Sequence, residues 1–165
     1  MNIDNTSASD ADAAFLRRAI ELARNAELAG DVPVGAILCI GELSIESWNC
    51  KEAKHDPTAH AELLAIVEAA QRLGRWRLSD ATLYITKEPC VMCAGAIIAA
   101  RIGRVVYAAS DPKGGADGGT FDILRSPKTN HHPVVEAGLL EEEASAQLVA
   151  FFRSRRASAR AIPEA

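Results

Sequence analysis

The stretch Ala81-Thr82-Leu83-Tyr84-Ile85-Thr86, then Pro89-Cys90-Val91-Met92-Cys93-Ala94-Gly95-Ala96-Ile97-Ile98-Ala99-Ala100, then Arg104-Val105-Val106-Tyr107-Ala108-Ala109 decides the fold. The first segment is a short apolar run that reads as a buried strand. Pro89 suits the opening of a helix, where the first turn lacks an N–H partner anyway, and the helix predicted from it runs through Ala100. Arg104 to Ala109 then reads as another strand, so strand and helix alternate within thirty residues.

The same alternation extends in both directions. Upstream, Asp56-Pro57-Thr58 is a turn and N-cap signal that opens a helix predicted from Ala59 to Leu73, with Gly74 as its stop. Before it, Val34 to Ile40 and Leu43 to Trp48 read as two strands joined by a tight Gly41-Glu42 connection. Phe15, Ala19, Leu22 and Ala26 recur at helical spacing between Asp12 and Ala29, and Gly30 ends that helix. Downstream, the four glycines between Asp111 and Gly119 demand a loop, Pro133 to Glu136 reads as a fifth short strand, and Leu139 to Ala157 is helical by period. Helices alternating with strands predict an α/β layer architecture with the sheet between helices. One domain is expected over residues 12–157, with frayed ends at 1–11 and 158–165.

Composition narrows the class. A chain of 165 residues, 48% apolar and 24% charged, is an ordinary globular composition. A domain of that length buries roughly 70% of the surface its unfolded form exposes, so it needs no metal merely to fold. No apolar run approaches the roughly 20 residues of a membrane span, and Met1 to Asp12 has neither the basic nor the apolar region of a secretory signal. No membrane partner and a cytoplasmic location are expected, with Cys39, Cys50, Cys90 and Cys93 as reduced thiols. A net charge of −4 argues against nonspecific coating of nucleic acid, so any nucleic-acid site must be a local patch.

Chemistry concentrates in two short motifs, His60-Ala61-Glu62 and Pro89-Cys90-Val91-Met92-Cys93. Residues three apart on a helix share a face, so Cys90 and Cys93 can bind one ion, and a helix N-terminus lowers a thiol's pKa toward the thiolate that zinc needs. His60 adds a nitrogen from the neighbouring helix, and a Cys₂His set leaves a fourth position for water, which is the arrangement of a catalytic zinc. Glu62 stands two residues from His60 and does not share its face on a regular helix, so only a bent first turn lets both approach the metal. Its role is read as a proton shuttle that takes a proton from the activated water and returns it to the substrate.

The competing reading of Cys-x-x-Cys is a structural zinc knuckle or a redox pair. A closed structural site needs a fourth protein ligand, and Cys50, His55, His131 and His132 are the candidates. Cys39 reads as a small core hydrophobe, His55 as a loop residue, and Trp48, Trp76 and Phe121 as packing groups.

His-x-Glu joined to Pro-Cys-x-x-Cys is the recorded signature of the zinc nucleobase deaminases. Beyond it, Val32-Pro33-Val34-Gly35-Ala36, His55 to Glu62, Leu78 to Thr86, Pro89 to Ala96 and Arg101 to Tyr107 closely resemble the bacterial tRNA-specific adenosine deaminases, and the likeness runs from Val32 to Arg156. The resemblance implies a three-layer α/β/α cytidine-deaminase-like fold with a mixed five-stranded sheet, a homodimer, and conversion of adenosine to inosine at the wobble position of a tRNA anticodon stem-loop. It implies one Zn2+ per subunit on His60, Cys90 and Cys93, with Glu62 as general acid and base. It further implies that Asn49 hydrogen-bonds the flipped nucleotide, with Val34 and Ala61 among the substrate contacts. Asp111 and Lys113 match the family's substrate loop, and Asn130-His131 is a second match. Phe151 to Arg156 resembles the helix that meets the anticodon loop, which implicates Phe152, Arg153, Arg155 and Arg156. Phosphate contacts need such a local basic stripe, and aromatics beside it can stack on splayed bases. The segment Cys39 to Asn49 departs from the family by being a residue shorter and lacking its usual glycines. Two other readings stand beside this one: deamination of a free purine such as guanine, and a non-catalytic, zinc-stabilised RNA-binding module.

Overall fold

The structure, a computed structural model, describes residues 6–160. In chain order it contains α1 (Thr6–Leu28), β1 (Gly35–Ile40), β2 (Leu43–Trp48), α2 (Lys51–Lys54), α3 (Ala61–Leu73), β3 (Thr82–Lys87), α4 (Val91–Ala100), β4 (Arg104–Ala109), β5 (Val134–Ala137) and α5 (Glu141–Arg160). The five strands form one sheet in the order β2-β1-β3-β4-β5. β1 runs antiparallel to both β2 and β3, whereas β3, β4 and β5 are parallel, so the sheet is mixed. The parallel pairing of β3 with β4 is what the intervening α4 makes possible, because parallel neighbours need a crossover and cannot be joined by a hairpin.

Strand residues alternate between two cores, as a period of two requires. Ala36 and Leu38 of β1, Leu83 and Ile85 of β3, and Val105 and Tyr107 of β4 face the helices α3 and α4, with Ala65, Ile66, Ala69, Ala94 and Ile97 opposite. Ile37, Tyr84, Val106 and Ala108 point the other way, toward Leu16, Ala19 and Ile20 of α1 and Ala144 of α5. The molecule is therefore the expected three-layer α/β/α sandwich. Gly35 permits the close seat of α1 on β1, since a Cβ there would lie 2.0 Å from the Ala19 carbonyl oxygen.

A buried polar cluster pins α1 to the sheet. Asp12, buried, accepts from Tyr84 Oη at 2.8 Å and from Arg104 Nη1 and Nη2 at 2.8 and 2.7 Å. Arg104 reaches on to Glu136 on β5 at 2.8 Å, so one guanidinium links a helix and two strands.

Several boundaries differ from those predicted. α1 begins at Thr6, not Asp12, so residues 6–11 of the expected frayed segment are helical, and residues 1–5 lie outside the described part. At the other end, 158–160 continue α5, and 161–165 lie outside it. The short helix α2 has no counterpart in the sequence reading, because four residues are too few to display a period. No described helix is long and apolar enough to cross a membrane.

Candidate active site

The strand directions bring four chain segments to one end of the sheet. Ala36 pairs with Ile85, so the start of β1 meets the end of β3. Gly35 pairs with Trp48, which puts Val34 beside Asn49, and Lys87 pairs with Ala109, which puts the segment after β3 beside the one after β4. Val34, Asn49, the Lys87-to-Cys90 segment and the Ser110-to-Lys113 segment therefore gather at this end, and together with residues of α5 they line a cavity of about 720 Å³.

Two helices begin at the cavity floor, each with a metal-type donor at its N-cap. His60 caps α3 with φ −79° and ψ 150°, and Cys90 caps α4 with φ −74° and ψ 173°. Neither side chain bonds to its own helix. The expected positions thus shift outward by a step: His60 precedes the first turn, and Pro89 precedes the cap. This resolves the difficulty with Glu62, because the extended backbone at His60 frees its side chain from the helical angular spacing that separates residues two apart.

His60 Nδ1 lies 3.5 Å from Cys93 Sγ and 3.7 Å from Cys90 Sγ. The donor atoms of these three residues all fall within 4.8 Å of one another, and among the described residues they form the one cluster of this kind. The hydrogen bond from Cys93 and the neighbouring His60 hold the Cys90 thiol down to about 3, while that bond and burial push Cys93 up. Glu62 is buried, burial pushes its carboxyl above the ordinary range, and its Oε2 has no hydrogen-bond partner. A nitrogen, two sulfurs and an orphaned buried carboxylate oxygen suit a borderline-soft cation with an open position.

The candidates for a fourth ligand do not join the cluster. Cys50 Sγ faces the Trp48 carbonyl at 3.3 Å, His131 Nε2 lies 2.6 Å from the Ile102 carbonyl and His132 Nε2 lies 2.9 Å from that of Ser126. His55 is exposed, in a left-handed turn after α2.

Above the floor, Asn49 is buried with its Nδ2 donating to the Val32 carbonyl at 3.1 Å and its Oδ1 accepting the Ala61 N–H at 3.0 Å. An amide nitrogen carries two hydrogens, so one remains for a ligand. Val34 lines the cavity. Ala61 does not: it is fully buried, and with its N–H given to Asn49 its carbonyl accepts from Ser47 Oγ at 2.8 Å. Its expected substrate contact is replaced by a place in the wall's support.

Asp111 and Lys113 both line the cavity. The Asp111 carboxylate is engaged, taking a contact from Lys87 Nζ and accepting the Lys113 N–H at 3.1 Å. From α5, Phe152 and Arg156 reach the rim, whereas Arg153 and Arg155 do not line it. Arg155 instead lies over the Phe151 ring, 5.8 Å from its centroid. The two phenylalanines divide their roles, Phe151 being buried and Phe152 exposed to 42%. Two expected packing groups are also surface residues, Trp76 at 61% and Phe121 at 48% exposure, while Trp48 packs on the α1 side of the sheet.

The sequence reading passed over Lys51, Lys87, Glu88, Leu148 and Val149, all of which line the cavity. Leu148 and Val149 had a signal in the period of α5, but Glu88 had none, being one acid after a strand.

The family model for the cytidine and deoxycytidylate deaminase zinc-binding region matches residues 9–109. The chain belongs to this deaminase family. Family members that it resembles include a tRNA-specific adenosine deaminase of Bacillus subtilis (strain 168), 47% identical over 146 residues that span 88% of this chain and 91% of the relative. Among solved structures, one from studies of A-to-I editing by tRNA:A34 deaminases at the wobble position of transfer RNA superposes with a TM-score of 0.78 at 43% identity, covering 82% of this chain and 99% of that one. A guanine deaminase from Nitrosomonas europaea is more distant, at 27% identity and a TM-score of 0.69, over 84% of this chain and 83% of its own. As a member of the deaminase family, the chain is a zinc-dependent enzyme of hydrolytic deamination.

Proposed function

We propose that this deaminase acts on tRNA, converting the wobble adenosine of an anticodon to inosine with release of ammonia. The observation that carries the reading is the cavity's composition from floor to rim: the His60, Cys90 and Cys93 donors and the orphaned Glu62 carboxylate below, Phe152 and Arg156 above. Relatives and a solved structure named for tRNA adenosine deamination support the same choice.

His60, Cys90 and Cys93 would hold one zinc per subunit. When bound there, zinc makes water nucleophilic at neutral pH. Glu62 Oε2 takes a proton from the attacking water, delivers it to the base nitrogen beside the reacting carbon, and carries the next proton to the departing amine, so that adenosine and water become inosine and ammonia. Burial suits Glu62 to this by bringing its proton affinity closer to neutrality. The remaining hydrogen of Asn49 Nδ2 orients the base, Phe152 offers a face on which a neighbouring base stacks, and Arg156 and Lys113 meet phosphate.

A homodimer is part of the proposal, supported by an apolar surface on α3 where Val67 is 52% exposed beside a groove lined by Leu63 and Leu64. The cytoplasm, where such a tRNA is met, is the proposed place of action.

Purified protein incubated with total tRNA and read by sequencing should give adenosine-to-inosine change at wobble positions. Glu62→Ala should abolish it while zinc is retained. Turnover of guanine with none on any tRNA would transfer the reading to a free-purine deaminase.

A further inference from the structure

Glu88 is a buried carboxylate that the deamination chemistry does not use. It opens the two-residue segment between β3 and the Cys90 cap, and both its oxygens are turned toward the loop that follows β4. Oε2 accepts the Asp111 N–H at 2.8 Å, and Oε1 accepts the Asp117 N–H at 2.9 Å. No described Lys, Arg or His forms an ion pair with it, and its hydrogen-bond donors are two backbone N–H groups six residues apart in one loop.

The loop is shaped around this carboxylate. A Cβ at Gly115 would stand 2.2 Å from the Glu88 carboxyl carbon, and one at Gly119 would stand 3.2 Å from Oε1 and 2.9 Å from the Asp111 carbonyl. Gly115 N donates to the Asp111 carbonyl at 2.9 Å, and Ala116 N donates to the Pro89 carbonyl at 2.9 Å, which closes the loop against the segment that carries Cys90. Asp111, Pro112 and Lys113, the loop's contribution to the cavity, begin at the first of the two Glu88 bonds, which fixes the main chain at Asp111 while Lys87 meets its side chain.

We propose that Glu88 is a positioning residue for substrate: it holds the loop 111–119 at the cavity mouth through the Asp111 and Asp117 amides and so sets affinity for the tRNA, without a part in the chemical step. This rests on the tRNA reading above. Because the link runs through backbone amides and not through the metal donors, it predicts a separation of KM from kcat.

Zinc-loaded Glu88→Gln keeps the shape but turns one acceptor into an NH₂ group that cannot take an N–H. Its KM for tRNA should rise about tenfold, in the range by which outer supporting bonds act, with kcat within about threefold. Zinc content should be unchanged, and hydrogen exchange at the Asp111 and Asp117 amides should quicken. Gly115→Ala, which leaves the carboxylate but crowds it, should give the same split and decides alone if Glu88→Gln does not fold. Loss of zinc, a fall in kcat at constant KM, unchanged exchange, or failure of both variants to fold would each overturn the proposal. The exchange measurement needs no substrate, so a wild-type protein inactive on tRNA would refute the functional reading while the loop assignment is still judged.

Discussion

Asn49 Oδ1 accepts the N–H of Ala61 at 3.0 Å, so the side chain in the cavity wall also fixes the start of the helix that carries Glu62. In the proposed reaction, recognition of the base by Asn49 and placement of Glu62 as proton carrier are thereby mechanically joined. The Ser47 hydroxyl, 2.8 Å from the Ala61 carbonyl, secures the same residue from the other side.

Asn49→Ala should consequently harm both stability and turnover. It leaves the Ala61 N–H without its partner, which costs about 1–3 kcal/mol for a buried group, while the Val32 carbonyl keeps the Val34 N–H. Urea unfolding should register that loss, and kcat should fall as well as KM rise, because Glu62 moves with the helix start. A change in KM alone would mean that the two roles are independent.

Chelation of the metal should stop deamination without unfolding the chain. Two apolar cores on either side of the sheet hold the fold, and a domain of this size does not depend on a metal for them. Far-UV circular dichroism should be preserved in the metal-free protein, and added zinc should restore activity.

The arginines of α5 should differ in effect according to whether they reach the rim. Arg156→Ala should weaken tRNA binding and lower the slope of log affinity against log salt by about one, the signature of a single phosphate contact. Arg153→Ala, away from the cavity lining, should change that slope less. Binding titrations at several salt concentrations distinguish the two.

The Arg104 guanidinium, with Tyr84, holds the Asp12 carboxyl below its ordinary value of 3.8. A depressed folded-state pKa means that the contribution is complete above 3.8 and is lost as pH falls through the depressed value. Asp12→Asn should therefore be less stable than the wild type by about 1–3 kcal/mol at pH 7, with a smaller gap at a pH below 3.8 where the carboxyl has begun to protonate. Urea unfolding at the two pH values measures it.

The strands β2 and β4 were readable to the residue and the other three to within one; in β1, β3 and β4 burial on both faces leaves a continuous apolar run. His60, Glu62, Cys90 and Cys93 were legible because few residue types perform their chemistry. Cap positions were less so: whether His60 lies before or within a helix depends on one ψ angle, which spacing does not encode. Asn49 and Val34 were locatable only through the resemblance, yet the shortened hairpin between β1 and β2 keeps a register that puts Asn49 at the wall. Arg153 and Arg155 could not be told from Arg156 in the sequence, because a run of basic residues does not reveal which side of a helix faces the cavity. Glu88 escaped notice because its partners are main-chain amides, which no residue type announces.

The last helix lies wholly beyond residues 9–109, the stretch matched by the zinc-binding family model, yet it contributes Ser145, Leu148, Val149, Phe152 and Arg156 to the cavity. The tools of the reaction and the part of the wall most exposed to a large substrate thus occupy separate lengths of chain. Evolution, or an engineer, has a terminal element to exchange when a new substrate is wanted, with the inherited catalytic half left as it is.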